Sequence, residues 1–403
     1  MEQRFPHLLF LCHRIPYPPD KGDKVRSYRW LQELLQHFHV HLGAFIDDPA
    51  DWAHVAQLRE RCASSLFLPL ARNGATFRSM SGFLSGTALT IPYYRDARMR
   101  RWALACRVSH GIEHVLVFSS AMAQYAENSS WSTVRRVIDF VDVDSDKWRQ
   151  YAHRKRGPAA LIFRREAKRL AEAEARLAHV FDASLFVSEH EADLFRSGVG
   201  DVGERVKAIR NGVDTSYFDA STEHVSPYPV SSEPVVFTGV MDYWTNIDAV
   251  LWFVREVWPR VKAIRPRALF VIVGAKPTRE VLRLGGEDIR VTGRVADVRP
   301  YLQHAAAVVA PMRIARGVQN KVLEGMAMGR PVVLTSKALE GIAAVPGRDL
   351  LVADEPAAYA RAVVAVLSGC APNQGPAARR LVEAHYGWAE SAEKMVALIF
   401  GEH

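Results

Sequence analysis

Three residues near position 320 combine charge types and spacing that suit an anionic, hydroxylated ligand. Arg313 follows the apolar run Ala306–Ala310, and Lys321 and Glu324 come next, three apart, a spacing that puts both on one helix face. Two cations and the exposed N–H groups of a helix start would compensate a diphosphate. The Glu324 carboxylate has two acceptor oxygens, enough for the vicinal diol of a ribose. The sequence predicts this helix over 317–328, opened by Gly317, where backbone can approach a ligand closely. Gly329-Arg-Pro331 would end it. Arg316, Gly317, Val318, Gln319 and Asn320 form the loop and helix start expected to meet the ligand. Taken singly, each residue fits an ion-paired surface helix equally well; only the combination is specific.

Other clusters offer less. Asp142-Val-Asp144 spells the acidic triplet of metal-dependent sugar transfer, but such a triplet is common by chance and is not read as a metal site. His37, His39 and His41 alternate along a strand start and have no Cys or carboxylate at ligand spacing, so they read as ordinary residues. The four cysteines, Cys12, Cys62, Cys106 and Cys370, form no CxxC pair, against a zinc or disulfide framework and in keeping with a reducing compartment. No metal and no cofactor is expected.

The elements that must position these residues alternate. Strand patterns appear at 7–12, 39–45, 65–68, 114–118, 134–139 and 183–187, and again at 234–238, 268–273, 289–292, 306–310 and 331–334. Helix-period stretches lie between them, one running from Val25 to Leu35 with Asp23 as a possible cap, another over 246–265. Residues 219–234, rich in Ser and Pro, read as a linker or exposed loop. The expected fold class is α/β, two Rossmann-like doubly wound parallel-sheet domains. Their predicted bounds are 1–205 and 206–385, with a terminal helix over 386–403 returning to the first domain. Ligands of such folds sit at the carboxyl ends of the strands, here expected in a cleft between the halves.

The net charge of +8 is uneven, with +6 of it in residues 1–200. Arg72–Arg107 holds seven arginines, the single acid Asp96, and Phe77, Phe83, Tyr93, Tyr94 and Trp102. This mixture suggests contact with an anionic membrane surface or acceptor. No nucleic-acid motif accompanies it, so nucleic acid is not an expected partner. The basic run 149–169, with Glu166, Glu172 and Glu174 interspersed or following, reads as solvated helix faces. No apolar run approaches a membrane span, and the expected location is cytoplasmic, at most peripheral to the inner face of the plasma membrane.

The segment Pro311–Val333 resembles the nucleotide-binding signature of the GT-B retaining glycosyltransferases of the family-four group, roughly P-L-R-x-G-x-G-x-x-x-K-x-L-E-A-M-A-x-G-x-P-V. Arg313, Gly317, Lys321, Glu324, Gly329 and Pro331 are in register. Asp20-Lys-Gly-Asp-Lys-Val-Arg26 resembles the family's N-terminal glycine loop. Val187-Ser188 with Ile209-Arg-Asn-Gly-Val-Asp214 resembles its hinge-side signature, and Phe237–Asp242 with Asn246–Ala249 the loop opening its second domain. Asp142-Val-Asp-Ser145 with Lys147-Trp148 is similar to the sugar transferases accompanying exosortase (PEP-CTERM) exopolysaccharide systems.

The resemblance implies a retaining, metal-independent transfer from a nucleoside-diphosphate sugar to a hydroxyl acceptor, a glycan or lipid-linked intermediate. It implies diphosphate binding by Arg313 and Lys321, ribose binding by Glu324, and backbone contacts to the base from Gly293, Arg294 and Val295. Gly22 and Gly239 would allow close approach, and Asp23, Lys24, Asp142, Asn211 and Asn246 would lie near substrate. The chain departs from the pattern in three places. Arg316 stands where many relatives have a sugar-contacting glutamate. Val141 lies in the loop where many have a histidine, with Asp139 or Asp142 as possible substitutes. Asn246 stands near the place of a usual basic residue. Two other functions stay open, a catalytically inactive sugar-nucleotide-binding protein and a sugar-nucleotide epimerase.

Overall fold

The computed structural model describes residues 5–19, 22–154, 156–315 and 317–402. The chain divides into two compact units, Met1–Arg210 with Ala389–His403, and Asn211–Trp388. The first boundary expected at 205 therefore moves to 210. The reason is a short strand, Val206–Ala208, which the apolar pattern was too brief to reveal and which pairs with Ala183–Phe186. The Ser- and Pro-rich stretch consequently lies inside the second unit.

In the first unit, apolar runs such as Leu8–Cys12 are buried on both faces, the pattern that parallel strands covered by helices require. The strands are β1 (His7–Cys12), β2 (His39–Ile46), β3 (Ser64–Pro69), β4 (His114–Phe118), β5 (Arg135–Val141), β6 (Ala183–Phe186) and β7 (Val206–Ala208). They form one parallel sheet in the order β3-β2-β1-β4-β5-β6-β7. Its strand order reverses between β1 and β4. The helix Gly22–His37 is held beneath by a fully buried ion pair, Arg26 Nε to Asp139 Oδ2 at 2.7 Å. Trp30 Nε1 donates to the same oxygen, and Arg26 Nη1 to the Ile209 carbonyl at 2.8 Å. At the other end of the sheet, the terminal helix Trp388–Phe400 is fixed by Arg135 Nη2 donating to Leu398 O, and by Phe400 stacked on Phe38.

The second unit repeats the plan with β8 (Glu233–Thr238), β9 (Ala268–Val273), β10 (Ile289–Gly293), β11 (Ala307–Ala310), β12 (Val332–Leu334) and β13 (Leu351–Val352). The order is β10-β9-β8-β11-β12-β13, all parallel, reversing between β8 and β11. The long helix expected over 246–265 is interrupted: Trp244–Trp252 and Trp258–Ile264 flank a π-helical turn, Phe253–Val257. Pro259 supplies no N–H for an α-type bond, and the wider turn accommodates it. The helix expected over 317–328 is Asn320–Ala327, with Gln319 as its N-cap, so Gly317 belongs to the loop before it. Among the described residues, no helix is long and apolar enough to cross a membrane.

Two glycines let these layers approach. A Cβ on Gly325 would lie 3.0 Å from the Val308 side chain, so the helix Asn320–Ala327 rests directly on β11. A Cβ on Gly274 would lie 1.7 Å from the Gly239 carbonyl oxygen, so the loops after β8 and β9 touch backbone to backbone. Gly274→Ala must push the Gly239 loop away. We expect it to lower stability by about 1–3 kcal/mol, read as a fall in melting temperature; an unchanged melting curve would show that these loops yield freely.

Candidate functional site

The loops that follow β8 and β11 meet where the second sheet reverses, the place at which open parallel sheets bind ligands. Gly239 N donates to the Val273 carbonyl at 3.0 Å, and Met241 N to Ala275 O at 2.8 Å, which ties the β8 loop to the β9 loop. Asn246, buried at the start of the next helix, has its Nδ2 donating to Val240 O at 2.9 Å. Its Oδ1 accepts from Lys321 Nζ at 2.6 Å. The ammonium also lies 4.6 Å from the centre of the Phe237 ring, a favourable cation–π placement. One side chain thus links the glycine loop to the lysine expected to bind diphosphate.

Burial pushes the Lys321 ammonium down to about 8, against the pull of Glu324. Burial likewise pushes the Glu324 carboxyl up to about 7, opposed by Lys321. Among the described residues, none donates a hydrogen bond to that carboxylate. The pair is short of compensating charge, which a bound diphosphate and a hydroxyl donor would supply. Asn320 Oδ1, at the start of the same helix, is buried and finds no donor among the described residues.

Arg313 already has a partner. It is not a cation held open for phosphate but pairs bidentately with Asp248, Nε to Oδ2 at 3.1 Å and Nη2 to Oδ1 at 2.5 Å. Asp248 lies on the helix Trp244–Trp252, and its role was invisible without the packing of that helix beside the loop. The pair is half-exposed, and such pairs contribute about 0–1 kcal/mol, so exchanging Asp248 for a phosphate costs little. Gly317 and Val318 lie in the loop, Val318 buried; Gln319 Nε2 donates to Gly317 O. Gly293 ends β10, where its carbonyl accepts from Gly274 N at 3.2 Å. Arg294 beside it is exposed and Val295 half-buried. Asn211 is buried at the entry to the unit, two residues before Val213, whose N–H bonds the Tyr386 carbonyl. Arg316 lies outside the described residues, as do Asp20 and Lys21 of the glycine loop.

The first unit rearranges the expectations further. Gly22 starts the helix Gly22–His37, so Asp23 sits in its first turn rather than preceding it. Asp23 accepts from Arg14 Nη1 at 2.7 Å and pairs with His13 Nε2 at 3.2 Å. Burial would raise its carboxyl, but these partners outweigh burial and hold it well below the usual carboxylate range. Lys24 turns inward: Nζ meets Asp51 Oδ2 at 2.7 Å, both buried. A substrate contact would have to break that pair, so Lys24 is a core residue. His13 and Arg14, directly after β1 at the reversal of the first sheet, are site candidates that the sequence reading passed over; their place beyond a strand end was the available signal.

Asp139 is likewise committed to Arg26 and Trp30, leaving it unable to replace the absent histidine. Asp142 pairs with Lys147 at 2.9 Å and does not cap the helix Asp144–Arg154. Buried glutamates do that instead: Glu191 accepts from Val143 N at 2.8 Å and Glu174 from Ser145 N at 3.1 Å. Glu166 is buried too, accepting from Leu89 N and Thr90 N. Glu166 and Glu174 are therefore not part of a solvated face. Val141 holds a left-handed backbone, φ 70°, costly for a β-branched residue. The β5–β6 register shifts there, and Asp139 Oδ1 accepts from Val141 N.

Residues 233–369 match the family model described as glycosyl transferases group 1. The matched residues lie within the second unit. Asn246, Arg313, Lys321 and Glu324 all fall within it. No curated protein matches the chain. Among solved structures, sucrose-phosphate synthase from Thermosynechococcus elongatus is similar at 16% identity, TM-score 0.71, covering 98% of each chain. HepE from Anabaena in complex with UDP-glucose gives 12% identity and TM-score 0.68, covering 98% of this chain and 99% of that one. WaaG, a glycosyltransferase involved in lipopolysaccharide biosynthesis, gives 14% and 0.67, covering 98% and 100%. At these identities the likeness shows the fold, two Rossmann-like parallel-sheet units of the GT-B type.

The Lys321–Glu324 pair generates a pH test. Lys321 loses its charge as pH rises through about 8, and Glu324 loses its charge as pH falls through about 7. Affinity for a nucleoside diphosphate should therefore peak between these values and fall on both sides. Calorimetry from about pH 5.5 to about pH 9.5 reads this, roughly 1.5 pH units beyond each midpoint. Glu324→Gln should remove the acid limb and, by taking away the charge that holds Lys321 up, move the basic limb to lower pH; an acid limb that persists in this variant would exclude Glu324 as its source.

Proposed function

We propose that the chain is a glycosyltransferase, moving a sugar from a nucleoside-diphosphate sugar to a hydroxyl acceptor with retention at the anomeric carbon and without a metal. The observation that carries this reading is the placement of Lys321, bonded to Asn246 beneath the Gly239 loop at the reversal of the second sheet. The main barrier in such a transfer is charge gathering on the departing diphosphate. Lys321, the start of the helix Asn320–Ala327 and Arg313 released from Asp248 answer it with fixed charge and dipole. Glu324, one turn along the same helix, is the acceptor for ribose hydroxyls. HepE is seen with UDP-glucose, which makes a uridine donor the first to test.

Lys321→Ala should cost about 2–4 kcal/mol of transition-state stabilisation, measured as kcat/KM for nucleotide-sugar turnover without added magnesium or manganese. Full turnover in this variant would sink the assignment. Wild-type protein that binds a nucleotide sugar yet turns over no donor of a uridine, guanosine and adenosine panel would instead be a binding protein. Turnover that interconverts the donor sugar without any acceptor would mark an epimerase.

The acceptor we assign to the lipid-linked glycan class, as the exosortase-type segment Asp142–Trp148 implies, with the protein working at the cytoplasmic face of a membrane. The helix Arg72–Leu84 supports this. It contains no acid and exposes Phe77 (78%), Met80, Phe83 and Leu84 (94%) beside Arg72 and Arg78. Arg165, from the helix Pro158–Val180, covers Phe83 at 4.8 Å, and Leu161 and Ile162 on that helix are also exposed. Elsewhere in the Arg72–Arg107 cluster, Tyr93, Tyr94 and Trp102 pack on the core and Arg98 pairs with Asp96, while Arg95, Arg100 and Arg101 are exposed. Apolar side chains ringed by arginine suit an anionic bilayer. Sedimentation with phosphatidylcholine vesicles containing phosphatidylglycerol should exceed that with phosphatidylcholine alone, and Phe77→Glu with Leu84→Glu should reduce it several-fold. Equal sedimentation with both vesicles would remove the membrane from the proposal.

A further inference from the structure

The amino edge of the first sheet gathers histidines from three elements. His7 opens β1, His41 is the third residue of β2, and His110 ends the helix Ala97–His110. His7 Nδ1 lies 2.9 Å from His41 Nε2. The His110 ring is 4.5 Å from that of His41 and 5.6 Å from that of His7, centre to centre. One nitrogen from each of the three lies within 4.8 Å of the others. Read as a sequence, His39 and His41 were ordinary strand residues; folding supplies the partners that their spacing lacked.

We propose that His7, His41 and His110 form a binding site for a divalent first-row transition ion, with zinc the natural probe. Three imidazole nitrogens at about 2.0–2.1 Å from one ion stand about 3.4 Å apart in tetrahedral geometry. Here the His7 and His41 nitrogens stand 2.9 Å apart and all three lie within 4.8 Å of one another, a spread that side-chain rotation can bring to that geometry. His41 is fully buried, and its other nitrogen, Nδ1, lies 2.7 Å from Ser64 Oγ. With the hydroxyl accepting from Nδ1–H, Nε2 presents its lone pair to the ion, the second-layer arrangement that orients metal-binding imidazoles. The group holds no carboxylate, so it does not suit calcium or magnesium, which take oxygen ligands. Neutral imidazoles suit zinc, nickel or copper. A fourth position is left for water or for His39, whose ring centre is 5.0 Å from that of His7.

The site lies at the amino ends of the strands, whereas His13, Arg14 and Asp23 lie at the carboxyl ends. The ion therefore takes no part in sugar transfer. It ties β1 and β2 to the end of the helix Ala97–His110 and stabilises the folded first unit by mass action.

Tag-free, full-length protein stripped with a chelator and titrated with zinc chloride tests this by calorimetry. The expected result is one ion per chain and a raised melting temperature, with His110→Ala and His7→Ala each weakening binding at least tenfold. Cobalt should give the visible absorption of a tetrahedral site, lost in the same variants. His110 is exposed at a helix end, so His110→Ala should melt like the parent in chelator and decides the matter even if His7→Ala folds poorly. Absence of a stoichiometric site, or binding that survives His110→Ala, would overturn the proposal and leave the histidines as a hydrogen-bonded cluster.

Discussion

The second unit depends on a contact that only two glycines can make, the Gly239 carbonyl lying against the Cα of Gly274. Because the β8 and β9 loops touch there, Val240 sits where Asn246 can bond it, and Asn246 is left with one oxygen for Lys321. Gly325 does the corresponding work below, seating the lysine's helix on β11. Remove any of these approaches and the ammonium loses its direction. The lysine's lowered proton affinity follows from the same packing, since the layers that aim it also desolvate it.

The first unit shows a different use of charge. Arg26–Asp139 and Lys24–Asp51 are buried pairs, and Glu166, Glu174 and Glu191 are buried carboxyl groups that accept from backbone N–H groups, with burial pushing Glu174 up to about 8 and Glu191 up to about 7. Breaking such a buried pair costs about 3–5 kcal/mol, because the remaining charge is left uncompensated. These groups hold helices to the sheet and are not available to substrate. The half-exposed pair of Arg313 with Asp248 is the opposite case, weak enough to exchange partners. Burial, more than residue type, separates the charges that build this protein from those that can serve a ligand.

Val141 joins the two themes. It lies in a backbone region that a β-branched residue enters only under constraint. Asp139 provides part of that constraint through its second oxygen, while its first holds Arg26 and Trp30.

The parallel α/β plan was legible in the residues alone, because buried runs such as Leu8–Cys12 and Ala268–Val273 alternate with regular helix-period segments. The sequence also determined the segment Arg313–Glu324, since a lysine and a glutamate three apart at a helix start share a face whatever surrounds them. Strands as short as Val206–Ala208 and Leu351–Val352 were beyond it, their signal being too brief to separate from a turn. Partnerships between residues distant in the chain were beyond it as well. Asp248 with Arg313, Asp51 with Lys24, and His110 with His41 are 65, 27 and 69 positions apart, and no periodicity links such pairs. Local spacing fixes which face a residue occupies; only the tertiary packing decides which charge it meets there.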